Sequence, residues 1–223
     1  MVTTYHGSDI NSAKIRRLCR IALRQSACNI FVSEDLKHKA GRSHNAIVLP
    51  CGVNLDQLTV TPKHEARELL GLDMERKYVL FASAFDNKVK NAPLAQEAMR
   101  QLPHASLIEL KGYSRRDVAL LMRAVDCLLM TSHSEGSPQV VKEALAQGTP
   151  IVSVEVGDVA WLIEGVEGCY LAERNADAIA QCLHHALGFG GDTQGRQRII
   201  DLGLDNRQIA IQLTSLYNSL QSS

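Results

Sequence analysis

The sequence predicts an α/β fold built on a parallel sheet. Short apolar runs alternate with segments whose apolar residues recur at helical spacing, almost from end to end. Strands that alternate with helices in this way pair in parallel, because each helix carries the chain back to start the next strand. Gly and Pro fall between the runs, where they punctuate rather than interrupt. The 223 residues, 45% of them hydrophobic, can fill one large domain or one and a half small ones.

Strands are expected at 2–5, 27–32, 46–49, 78–83, 106–110, 127–131, 150–154 and 168–171, each a short apolar or β-branched run. Helices are expected at 12–25, 34–40, 63–70, 92–101, 115–124, 139–147, 158–163, 176–187, 192–202 and 206–220. Helix 12–25 has Ile15, Leu18, Ala22 and Leu23 on one side and Lys14, Arg16, Arg17, Arg20 and Arg24 around them. Such a helix packs on its apolar side, or lies against anionic lipid. Gly71 ends helix 63–70. Ser137 is placed to cap helix 139–147, with Pro138 in its first position, and Gly148 and Pro150 stop it. Pro50-Cys51-Gly52-Val53-Asn54 reads as a seam, so residues 1–52, 53–205 and 206–223 are taken as separate units. No internal repeat or low-complexity segment is present.

Composition excludes several function classes. Basic and acidic residues balance at 24 each, and aromatics are 4%, so neither a positive field nor a stacking platform for nucleic acid is expected. No apolar run reaches the ~20 residues of a membrane span. Asp9, Asn11 and Lys14 arrive too early for a signal peptide, so a cytoplasmic location is expected. The six cysteines form no Cys-x-x-Cys pair and sit mostly in apolar runs, as core thiols do; no metal site is expected. No Gly-x-x-x-x-Gly-Lys loop and no Gly-x-Gly-x-x-Gly follows a strand, which leaves kinase and dehydrogenase readings without support.

The chemistry concentrates in Ser134-Glu135-Gly136-Ser137-Pro138-Gln139-Val140-Val141-Lys142-Glu143-Ala144. Glu135 lies in the loop after a strand and Glu143 on the helix that follows. Free backbone N–H groups at Ser137–Val140 and the helix dipole favour an anion there. Two acids so spaced can hold the two ends of a hydroxyl-rich ligand with a phosphate in its middle. Spacing alone serves equally for a solvated acid on an amphipathic helix.

The longer wording resolves that choice. Ser132-x-Ser134-Glu135-Gly136, then Glu143-Ala144-Leu145-Ala146-x-Gly148-x-Pro150-Ile151-Val152 and Val154-x-Val156-Gly157-Asp158-Val159, resembles the donor-site signature of family 4 glycosyltransferases. The form Glu-Gly-Ser-Pro-Gln-Val-Val-Lys-Glu-Ala is similar to the branch that builds surface polysaccharides such as teichuronic acid. The resemblance runs from His6-Gly7 to the last helix. It implies a GT-B fold: the C-terminal donor domain, Rossmann-like, plus a partial N-terminal domain. It implies a retaining, hexosyl-type transfer from a nucleotide sugar to a glycan or lipid-linked glycan acceptor, without a metal.

Roles follow by position. Glu143 would bind the ribose hydroxyls and Glu135 the donor sugar. Gly136, Ser137, Pro138, Gln139 and Val140 would face the diphosphate or sugar, mainly through backbone amides. Where the family has Phe-Gly, this chain has Ser137-Pro138. In Phe85-Asp86-Asn87-Lys88-Val89-Lys90-Asn91, Lys90 matches the family's phosphate lysine; the usual arginine is missing, so Lys88 substitutes or the site is weaker. Tyr113, in Gly112-Tyr113-Ser114-Arg115, would line the base pocket, and His6 would face the donor sugar.

Only the last strands of the N-terminal domain are expected, so the acceptor wall of the cleft would be incomplete. The alternative is then a truncated or split nucleotide-sugar-binding module without activity alone, served by a separate N-terminal chain or by self-association. A sugar-nucleotide epimerase shares the architecture, but the wording around Glu135 disfavours it. Peripheral contact with the inner membrane face stays open through the basic helix.

Overall fold

The computed structural model describes residues 1–41 and 44–221. Two parallel sheets are formed. The small one has the order β1-β2-β3, with β1 Val2–Tyr5, β2 Cys28–Phe31 and β3 Ala46–Val48. Its helices are α1 Ser8–Asn11, α2 Ala13–Gln25 and α3 Glu34–Ala40. The large sheet has the order β5-β4-β6-β7-β8: β4 Lys77–Phe81, β5 Ala105–Glu109, β6 Cys127–Met130, β7 Ile151–Val154 and β8 Cys169–Ala172. Around it lie α4 Lys63–Leu70, α5 Ala92–Met99, α6 Arg115–Ala124, α7 Gln139–Ala146, α8 Val159–Ile163, α9 Ala176–Phe189 and α10 Gly195–Asp201. The last helix, α11 Asn206–Gln221, follows directly; residues 222–223 of the expected C-terminal unit lie outside the described residues. The fold is a Rossmann-like α/β fold, as the alternation predicts.

The core explains the strand composition. β6 and β7 are buried at every position, because helices cover both faces of a parallel sheet. Leu128, Leu129, Val152, Val141 and Leu145 share one large apolar cluster. That cluster also takes in Cys28, Ile30 and Leu49 of the small unit, with Leu213, Leu216 and Leu220 of α11 packed against it. A second cluster, around Tyr5, Ile10, Leu23, Phe31 and Leu36, lies under α1 to α3.

Local departures from expectation have local causes. Residues 8–11 form a helical turn that periodicity could not show in four residues. Asp9 stabilises it by accepting from the amides of His6 at 2.9 Å and Gly7 at 2.8 Å. Ser137 does not cap α7; Pro138 holds that position without a side-chain bond, and the Ser137 hydroxyl turns to Asp158. The apolar side of α2 packs only in part: Leu23 is buried, whereas Ile15, Leu18 and Ile21 are exposed.

The seam at residues 51–53 is where the chain crosses from one sheet to the other. The segment 204–206, which links α10 to α11, runs beside it. Val53 N–H donates to the Leu204 carbonyl at 2.8 Å and Asn206 N–H to the Val53 carbonyl at 2.9 Å.

Candidate functional site

In the large sheet the strand order reverses between β4 and β6. Loops leaving the carboxyl ends of such strands diverge and leave a crevice, the usual ligand site of open α/β sheets. The loop after β4 carries Lys88 and Lys90, and the loop after β6 carries Glu135 to Pro138. Thr131 Oγ1 stitches them together by donating to the carbonyls of Lys90 and Asn91, each at 2.9 Å. His133 N–H adds a bond to the Val89 carbonyl at 2.8 Å. Arg174, before α9, donates to the carbonyls of Thr131 and Ser132 from the other side.

This stitching brings Lys90 Nζ to 2.6 Å from Glu135 Oε1. Both side chains are mostly buried, at 21% and 13% exposed. Lys88 occupies a short 3-10 turn (Lys88–Lys90) and is exposed. Of the two lysines, Lys90 is therefore the one drawn into the crevice.

α7 begins at Gln139, so its unpaired N-terminal amides lie beside Glu135. Pro138 contributes no N–H to that set. The Gln139 side chain is turned away, its Nε2 donating to the Gly52 carbonyl at 2.7 Å. Glu143, one turn along, is half-buried. Burial pushes its carboxyl above the usual range, and the charges of Arg115 and Lys142 offset part of that rise. Arg115 opens α6, just after Tyr113, which is 40% exposed. Arg115 was named in the sequence only as a neighbour of Tyr113; its position opposite Glu143 comes from the fold.

The small sheet forms the other wall. His6 is exposed, with Nδ1 3.7 Å from Cys51 Sγ. The His6 carbonyl lies so close to Gly136 that a Cβ there would come within 2.2 Å of it. Asn11 Nδ2 donates to the Glu135 carbonyl at 3.2 Å. On the far side of the same loop, Ser137 Oγ donates to Asp158 Oδ2 at 2.5 Å. Burial drives the Asp158 carboxyl up to about 6, against the opposing pull of Ser137 and Lys142. Glu135, Gly136, Lys90, His6 and the start of α7 therefore converge. Lys88 and Tyr113 stay at the exposed rim. Asn11, Arg174 and Asp158 support the loop, and no sequence spacing marked Asn11 or Arg174.

An anion at the α7 amides would meet Lys90, a hydroxyl-bearing group could reach Glu135, and Glu143 lies farther along the helix. A Bacillus subtilis (strain 168) protein named as the teichuronic acid biosynthesis glycosyltransferase TuaC is 26% identical; the match covers 82% of this chain and 54% of that protein. A D-inositol 3-phosphate glycosyltransferase of Mycobacterium marinum is also 26% identical, over 71% of this chain and 40% of its own length. The chain spans about half the length of these relatives.

Among solved structures, the sucrose-phosphate synthase of Thermosynechococcus elongatus superposes with a TM-score of 0.84 at 21% identity, over 99% of this chain and 68% of that one. The Anabaena protein Alr3699/HepE, solved with UDP and glucose, gives 0.72 at 20% identity, over 96% and 71%. These likenesses establish the fold, which is that of GT-B glycosyltransferases. Residues 78–188, from β4 to α9, match the family Glycosyl transferases group 1, and the chain belongs to that glycosyltransferase family.

Proposed function

We propose that the crevice binds a nucleoside diphosphate sugar and that the protein transfers the sugar, a hexosyl unit, with retention to a glycan or lipid-linked glycan of surface-polysaccharide synthesis. The observation that supports this most directly is the meeting of Lys90, Glu135 and the α7 N-terminus at the strand-order switch, with Glu143 on the same helix. In this reading the diphosphate lies against the α7 amides and Lys90, whose fixed charges stabilise the leaving group, so no metal is required. Glu143 accepts two vicinal ribose hydroxyls. Glu135, held by Lys90, accepts from the sugar, and His6 faces the reacting carbon. Tyr113 borders the base, and Lys88 adds charge at the rim.

Titration with UDP, GDP and ADP tests the reading. Saturable binding of one of them, weakened in Glu143→Ala, is expected; no saturable binding of any would sink it.

A second reading has its own support. β1 is an edge strand of a three-stranded sheet, and Leu18 and Ile21 of α2 are 72% and 63% exposed. Such surface suits a partner: a separate N-terminal chain, a second copy or, through the basic α2, an anionic membrane. The chain would then bind the donor alone and transfer only with its partner. Nucleotide binding without turnover favours this reading; turnover by an isolated monomer opposes it.

A further inference from the structure

Lys142 is wholly withdrawn from solvent, at 0% exposed. Its Nζ donates to the Cys51 carbonyl at 2.8 Å. Gln139, one turn earlier on α7, donates from Nε2 to the Gly52 carbonyl at 2.7 Å. Two consecutive carbonyls of the chain crossing are thus gripped by the helix that carries Glu143. Positions three apart on a helix share a face, which lets both side chains reach one strand of backbone.

The crossing is held from its other side as well. A Cβ on Gly52 would lie 2.6 Å from Asn206 Oδ1, and the 204–206 segment is bonded to the crossing through Val53 and Asn206. One helix therefore grips the covalent link between the sheets, and the 204–206 segment is bonded to that link. Burying an ammonium costs several kcal/mol before its bonds are counted, and an apolar chain of equal length could fill the same space. What an apolar chain could not do is hold the carbonyl. The charge of Asp158 supports that of Lys142, and Asp158 in turn receives the Ser137 hydroxyl of the Glu135 loop.

We propose that Lys142 and Gln139 are positioning residues that set the angle between the two sheets, by clamping the 51–53 crossing to α7. The angle matters because the His6–Gly7 strand end must meet Glu135–Gly136 for the crevice to have two walls. The clamp itself stands on geometry; its consequence for sugar transfer rests on the glycosyltransferase reading above.

Hydrogen exchange on the full chain tests it, in Lys142→Met and separately in Gln139→Leu, which leaves the buried charge in place should Lys142→Met misfold. The Val53 and Asn206 amides should exchange about tenfold faster in each variant, while the core amides of Ala82 and Leu128 hold within about twofold. UDP affinity of Lys142→Met should stay within about threefold of the parent, because the clamp acts on the angle and not on the ligand. Unchanged exchange at Val53 and Asn206 in both variants overturns the proposal. Equal acceleration of crossing and core amides overturns it too, since that marks general stability only. Failure of the parent to bind any of UDP, GDP and ADP would instead remove the nucleotide-sugar reading and leave the exchange contrast standing.

Discussion

Gly136→Ala tests the join between the two sheets. The new Cβ would lie 2.2 Å from the His6 carbonyl oxygen and 3.0 Å from both the His6 carbonyl carbon and Leu36 Cδ1. Approaches below 3.0 Å do not occur for real Cβ atoms, and the closest neighbour is backbone, which cannot swing aside as a side-chain tip can. The loop and the strand end must then separate by about 1 Å, an overpacking cost of roughly 1–3 kcal/mol. That separation also breaks the Asn11 bond to the Glu135 carbonyl, worth about 0.5–1.5 kcal/mol. The expected loss is about 2–4 kcal/mol, or a Tm lower by roughly 5–15 °C for a chain of this size. Because Glu135 and the start of α7 shift together, UDP binding should weaken by about tenfold or more. The control is Gly188→Ala, where a Cβ meets nothing within 4 Å on helix α9. It should be neutral or stabilising by up to about 1 kcal/mol. Thermal melts and UDP titrations of both variants decide the matter. A Gly136→Ala protein with the Tm and UDP affinity of Gly188→Ala refutes the claimed contact.

Glu143→Gln should lose one to two charge-assisted bonds to ribose and bind UDP roughly 10- to 150-fold more weakly. The parent's affinity should drop on acidification through the raised Glu143 pKa, since only the ionised carboxyl accepts both hydroxyls; a flat profile in Glu143→Gln and a falling one in the parent is the result to look for by calorimetry across pH. Lys90→Met should cost about tenfold in UDP affinity and leave uridine affinity unchanged, because the lysine meets phosphate and not the nucleoside; equal losses for both ligands would contradict that. Asp126→Asn bears on stability alone. Burial raises this carboxyl, but bonds from Lys63 and the Tyr78 amide and the charges of Lys63 and Lys77 outweigh burial and hold its pKa below 3.8. Its stabilisation is thus present above the unfolded value and is lost as pH falls through the depressed folded one. Removing one side of its buried pair with Arg67 should cost about 3–5 kcal/mol, a Tm drop of about 6–20 °C. UDP affinity should hold, since Asp126 precedes β6 at the sheet end opposite the crevice; a parallel loss of binding would show the two ends to be coupled.

The central strands were the most legible, because burial on both faces leaves a continuous apolar run, as in Cys127–Met130. α3 lies between the Ser33 cap and Gly41, α4 ends at Gly71, and α6 begins at the Ser114 cap. The residues that escaped reading lack such signals. Four residues at Ser8–Asn11 are too few for a period, and their turn depends on Asp9 reaching back to amides. Ser137 has the composition of an N-cap, but a buried acid from a later strand-helix loop offered its hydroxyl a closer partner. Asn11 and Arg174 touch the Glu135 loop across 124 and 42 residues of chain, a reach no local pattern encodes.

The sequence by itself determined the alternation of strands and helices, and it placed an acid after β6 and a second on α7. Those features follow from local spacing and punctuation, which act over a few residues. Only the tertiary structure decided that Lys90 pairs with Glu135, that Lys88 stays at the rim, and that Lys142 is a buried clamp rather than a solvated helix charge. The physical reason is common to all three. A lysine is amphipathic and long, so its place is set by whichever acceptor the fold brings within reach, and those acceptors come from strands and crossings distant in the chain.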